Sequence, residues 1–341
     1  MAKCYKTISK ISGSFITVDG VEDVRYGEFG HIELEDKSIA RFQVIEVDKK
    51  HAVLQVYDDN FGINPSSSKV FFSGKKPTLG VSDDLFSRIF DGLGRPIDGA
   101  PELLADMYVN VEGLPVNPLS REMPADRLVT GISGIDDVCP IAKGQKMAII
   151  SEPGVPHLSL AAQIAESTNM SVVFAALGSA SEEIDLFVEN MKKSGAIDRS
   201  VSFISFAGHS PLECLEAPKF AMTAAEYIAF EKNMDVLVIM TDLASYADAF
   251  RESEPLQHES LYSNLASIFE RSGKRKDRVG TITVLPMLTA SSDEASKEAA
   301  LTLSRITEGR IILSRDLYRR GIIPPIDPVL SFSQFADPEL K

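Results

Sequence analysis

The chain has 341 residues, 44% of them hydrophobic and 25% charged, enough to bury a sizeable core and long enough for two domains. With 49 acidic against 35 basic residues and a net charge of -14, it lacks the positive field that gathers nucleic-acid phosphates, so no nucleic-acid partner is expected. Cys4, Cys139 and Cys214 lie far apart without C-x-x-C spacing, which fits reduced thiols in a cytoplasmic setting. No run of about 18 apolar residues occurs, so any attachment to a membrane is expected to run through partner subunits.

From Lys6 to Ser73 the chain reads as short β-branched and aromatic runs: Ser14 to Val18, Phe29 to Leu34, Ala40 to Val47, Ala52 to Tyr57 and Lys69 to Phe72. Polar turns at Glu35-Asp36-Lys37 and Asp48-Lys49-Lys50 separate them. So many short strands predict a small closed β-barrel over residues 1–74, because closure removes exposed sheet edges. A turn-rich connector follows over Phe90 to Pro118, with Asp91-Gly92, Gly94-Arg95-Pro96 and Asp98-Gly99.

From about Ser120 strand-length apolar runs alternate with helical spacing. The expected strands are Met147 to Ile150, Val172 to Leu177, Val201 to Phe206, Val236 to Met240, Thr281 to Leu285 and Ile311 to Leu313. They are apolar on both faces, as a helix-covered parallel sheet requires. The expected helices are Leu158 to Glu166, Glu182 to Lys193, Thr223 to Asn233 and Leu261 to Arg271. Ser179 and Glu182 have capping-box spacing for the second. Residues 75–335 therefore predict a doubly wound α/β domain of nucleotide-binding type, with a short tail at 336–341. The basic cluster Arg271, Lys274, Arg275, Lys276 and Arg278 reads as a solvated loop.

In such a domain phosphate sits after the first core strand, at the start of the next helix. Here that loop is Glu152-Pro153-Gly154-Val155-Pro156-His157-Leu158. A working phosphate loop supplies successive backbone N–H groups, a lysine and a magnesium-binding hydroxyl. Pro153 and Pro156 carry no N–H, Glu152 brings a negative charge, and His157 and Leu158 stand in the lysine and hydroxyl slots. His157 reads as a structural histidine before it reads as a phosphate contact, and Ser159 as a helix cap before an anion ligand. Asp242 ends the strand Val236 to Met240 and reads as a helix cap rather than a magnesium anchor. Gly178-Ser179-Ala180 places no carboxylate to activate a water. Phe174 and the run Phe203 to Phe206 read as core rather than an adenine pocket.

These residues resemble a known family. Gly94-Arg95-Pro96-Ile97-Asp98-Gly99, Gly113-Leu114-Pro115-Val116-Asn117-Pro118, Thr130-Gly131-Ile132-Ser133-Gly134-Ile135-Asp136, Thr307-Glu308-Gly309 and Leu313-Ser314-Arg315 are similar to the non-catalytic B subunit of V-type and A-type rotary ATPases. The resemblance runs from Tyr5 to about Ser333. It implies a barrel followed by a degenerate nucleotide-binding domain, in a ring alternating with a catalytic A-type subunit around a central stalk. It also implies no cofactor of its own, weak ATP or ADP binding at most, and no metal. The slots for the catalytic relatives' metal aspartate and water-activating glutamate fall, by this resemblance, at Thr241 and Ser179. The family's trans-acting arginine aligns with Gln334, and its C-terminal helical domain and long loop near Ser253 to Ser260 have no counterpart. Those departures leave open an alternative, a free-standing interaction paralogue outside any motor. For the end from Pro328 the bland reading is a frayed terminus.

Overall fold

A computed structural model describes residues 3–48, 50–57, 62–253 and 260–335. The tail 336–341 and most of the segment 253–260 lie outside the described residues. The N-terminal part is a 7-stranded antiparallel sheet. Its strands Phe15–Asp19, Phe29–Glu33, Ile39–Asp48, His51–Val56 and Lys69–Phe72 fall on the expected runs. Closure comes from the first chain segment. Lys3–Tyr5 pairs with Lys69–Phe72 at one edge, and Ile8–Ser12 pairs with Phe15–Asp19 at the other. Ile16, Val18, Ile32, Phe42, Val44, Leu54, Val70 and Phe72 fill the interior, so alternate residues of each strand make one small core.

The second part is built on a 10-stranded sheet. Its central order is Gly309–Leu313, Ala148–Ser151, Thr281–Thr289, Val236–Thr241, Ser171–Ser179, Ser200–Phe206 and Ile89–Asp91, all parallel. Each strand is apolar on both faces. Val172, Phe174 and Ala176 join the core on one side, and Val173, Ala175 and Leu177 the core on the other. The fold is thus a β-barrel followed by a nucleotide-binding-type α/β domain, as the residue pattern requires.

Several local expectations need correction. The connector is not only turns: Ile89–Asp91 is a parallel edge strand on Ser200–Phe206, and Met107–Asn110 pairs with Thr78–Val81. The helix expected over Thr223 to Asn233 begins at Pro211 and runs to Glu226, ending in a π-turn over Tyr227–Glu231. Of two further helices, Leu243–Glu252 is the one that Asp242 was expected to cap, and Glu294–Ile306 was not anticipated. The helix Ser181–Ser194 starts at Ala180 without a side-chain cap. Ser179 belongs to the strand before it, where it pairs with Phe206, so no capping box forms.

The basic cluster is not a solvated loop. Gly273–Arg275 is a strand pairing with Thr281–Thr289, and Arg271 is 1% exposed. Its guanidinium grips both oxygens of Glu226 at 2.8 and 2.7 Å, the Val111 carbonyl at 2.8 Å and the Thr223 hydroxyl at 2.8 Å. Arg275 pairs with Asp277, Arg278 donates to the Phe230 carbonyl, and Lys274 pairs with Glu122. A charge run reads as surface only while its partners, distant in sequence, stay unseen.

Candidate functional site

Ser151, Thr241 and Thr289 sit at the C-terminal ends of three adjacent parallel strands, the edge where doubly wound sheets hold ligands. The loop after Ser151 turns through Gly154, whose φ of 83° suits glycine, and enters the helix His157–Ser167. Three of the loop's N–H groups are already used. Glu152 N–H donates to the Leu313 carbonyl, Val155 N–H to Glu152, and His157 N–H to Val155. Pro153 and Pro156 have no N–H. A phosphate would therefore meet only fragments of the cradle it needs.

His157 points inward rather than at solvent. Its Nδ1 lies 3.2 Å from Ser151 Oγ and 3.4 Å from Thr289 Oγ1, and its Nε2 lies 3.0 Å from Thr241 Oγ1. Hydroxyls both donate and accept, so they satisfy a neutral imidazole at both nitrogens. Burial holds the His157 pKa below the ordinary histidine value, against the opposing pull of Asp242 and Glu183. At neutral pH the ring therefore carries no charge to offer a phosphate. Ser159 is exposed, and the helix His157–Ser167 begins at Pro156 without a side-chain cap, so the capping role expected of Ser159 is absent.

Asp242 caps the helix Leu243–Glu252 through Ala244 N–H at 2.9 Å and also accepts Thr289 N–H at 3.2 Å. Backbone donors thus occupy the carboxylate that a Walker-type metal site would need. Ser179 is buried in sheet pairing. A carboxylate is nevertheless near: Glu183, in the first turn of Ser181–Ser194, lines a cleft of about 200 Å³ with His157, Leu158, Leu186 and Phe187. The sequence reading missed it because it searched the strand end and not the following helical turn. A cleft with acidic and apolar walls does not suit a magnesium triphosphate, and the residues present do not fit that group.

Glu152 lies exposed at the rim, and its Oε2 accepts Arg315 N–H at 2.6 Å. Phe174 stacks on Phe187 at 4.0 Å and Phe203 on Phe90 at 5.3 Å, so these rings pack inside the domain. Gln334 is not brought to the loop. Its N–H donates to the Glu308 carbonyl at 2.9 Å, next to the strand Phe332–Ser333, which pairs with Gly309–Leu313. The segment from Pro328 to Phe335 is therefore docked and not frayed. No helix among the described residues is long and apolar enough to cross a membrane.

Both parts of the chain match known families. Residues 8–74 match the ATP synthase alpha/beta family, beta-barrel domain, and residues 131–333 match the ATP synthase alpha/beta family, nucleotide-binding domain. A barrel joined to a parallel α/β domain, with its loop at the expected strand end, is the architecture that these matches require, and the chain belongs to the ATP synthase alpha/beta family.

Proposed function

We propose that the chain is a non-catalytic, B-type ring subunit of a V/A-type ATPase or ATP synthase. In this reading it alternates with a catalytic A-type subunit around a central stalk, meets the membrane only through partners, and supports ATP-coupled proton or sodium transport. The observation that carries the non-catalytic role is the loop itself. Two of its positions are prolines without an N–H, three of its N–H groups bond to the protein's own carbonyls, and His157 is held neutral among three hydroxyls. ATP or ADP then binds weakly or not at all, and no cofactor is held. Purification from native cells is expected to bring down a catalytic A-type subunit in equal amount, while the isolated chain shows no ATP turnover above a protein-free control. Micromolar nucleotide affinity by calorimetry would count against the non-catalytic role.

A second reading, a free-standing interaction paralogue, is favoured by Gln334. An arginine acting in trans on a phosphoryl group is worth about 10³ to 10⁵ in rate, and a glutamine amide carries no such charge. If the chain docks beside a catalytic subunit, Gln334→Arg raises ATPase turnover of the mixed assembly by at least about tenfold. An unchanged rate in an intact assembly makes the paralogue the better reading.

A further inference from the structure

Between the outside of the barrel and the α/β domain lies a cavity of about 410 Å³, many times the ~30 Å³ share of one water molecule. One wall carries Gln43 and Gln55, register partners on the strands Ile39–Asp48 and His51–Val56. Their neighbours Val44, Leu54 and Val56 point into the barrel, so the two amides face the second domain side by side. Gln43 Oε1 accepts the Tyr57 hydroxyl at 3.0 Å, and its Nε2 has no acceptor among the described residues. Gln55 is 5% exposed, and its amide makes no hydrogen bond among the described residues. Neither atom of that amide is sealed off, so both keep surface open to the cavity. Folded proteins rarely leave a side chain so buried without a partner, and its hydrogen bonds go to whatever the cavity holds.

The opposite wall supplies complementary groups. Lys219, on the helix Pro211–Glu226, donates from Nζ to Glu216 Oε1 at 2.7 Å and lies 3.7 Å from Glu112 Oε1. An ammonium has three N–H groups, so this one still has donors to give. Ser267 adds a hydroxyl, and Ile45, Leu212 and Leu215 add apolar surface. Charge is balanced around the space: Lys76 and Lys219 stand against Glu112 and Glu216, and Glu226 neutralises Arg271. An occupant therefore needs no charge of its own. It needs acceptors for the Gln43, Gln55 and Lys219 donors, a donor for the Gln55 carbonyl, and an apolar flank. A hydroxyl joins donor and acceptor in one group, and a sugar carries several hydroxyls around a C–H framework.

We infer that this cavity binds a neutral polyhydroxyl molecule, a monosaccharide or a polyol of that size, whose hydroxyls meet the Gln55 and Gln43 amides and the Lys219 ammonium. A metal ion fits less well, because no group of three metal-ligating side chains occurs among the described residues. A bound sugar touches barrel, connector and α/β domain together. It does so whether or not the chain sits among other subunits.

The test is calorimetry and saturation-transfer NMR of the full chain with D-glucose, D-ribose and sorbitol. D-glucosamine hydrochloride and sodium D-glucuronate serve as charged counterparts. Saturable binding of at least one neutral probe is expected. Glucose is expected to bind at least about tenfold more tightly than either charged counterpart, because a further charge would enter a balanced cavity unpaired. Gln55→Leu keeps the bulk of the side chain, removes both hydrogen-bonding atoms, and is expected to weaken affinity by at least about tenfold. Ser267→Phe, at an exposed position of the helix Leu261–Phe269 beside the cavity, is expected to narrow the entrance and weaken binding in the same direction. Sugars also stabilise proteins by exclusion from the surface, an effect that neither saturates nor responds to these substitutions. No saturable binding of any neutral probe, equal binding of the charged counterparts, or binding that survives both substitutions overturns the inference.

Discussion

His157 shows how far residue types alone carry an argument. The absence of a lysine and a hydroxyl from the loop is plain in the sequence. The partners that hold the imidazole come from 84 and 132 residues away, and no local pattern announces them. A separation of 47 residues likewise hid Thr289 behind Asp242, whose capping role was legible because its donor is only two residues on. Burial sets the sign of a pH effect. With its folded pKa below the unfolded value of about 6.5, His157 takes up a proton more readily in the unfolded chain. Its contribution to stability is complete above that unfolded value. It is lost as pH falls toward the depressed folded pKa, and levels off below it. Urea unfolding between pH 5.5 and 7.5 is expected to show stability dropping as the pH is lowered, and His157→Gln to flatten that slope. An identical slope in the variant would mean that other groups set it.

Among elements, the strands were the most readable because each carries its own alternation or apolar run. The helix Pro211–Glu226 was not, and its surroundings explain why. Leu212 through Pro218 and Phe220 through Ala225 are all buried, so the polar stripe that gives a helix its period is missing. Pro211 and Pro218 read as breakers, although the first sits where a helix accepts proline and the second is tolerated inside. The connector makes two close approaches, one to this helix at Gly92 and one to Arg271 at Gly113. Gly92 has Glu213 atoms 2.6 Å from where a Cβ would stand, and at Gly113 the Cβ would lie 2.2 Å from Arg271 Cζ with φ at 54°. The connector's glycines were visible as turn formers, but their second use as points of contact was not. Gly113→Ala is expected to lower stability by about 2 to 4 kcal/mol through overpacking and backbone strain together. A denaturant midpoint within error of the parent protein would show that the connector moves aside freely.

On the scale of the whole molecule, two architectures with separate cores were legible because their periods differ, two residues in the barrel and long apolar runs in the sheet. Their mutual contact was not, since it includes polar side chains such as Arg41, which pairs with Asp91 and looks like ordinary surface in the sequence. The barrel has its own interior cluster, so residues 3–76 expressed alone are expected to give a β-type circular dichroism spectrum with a cooperative melt, at a lower temperature than the full chain. A random-coil spectrum would show that the barrel depends on the second domain. Arg271 has the opposite character, because its partners lie 45 to 160 positions away along the chain. Those segments must all be in place before the guanidinium finds its acceptors, so its bonds are expected to form after the rate-limiting step of folding. Arg271→Met is then expected to leave the refolding rate nearly unchanged and to speed unfolding on the order of a hundredfold. Stopped-flow mixing reads both rates, and a refolding rate that drops in step with stability would place the arginine in the nucleus instead. On that expectation the side chain is a latch on lifetime: without it the molecule would reach its native form on schedule and hold it for a far shorter time.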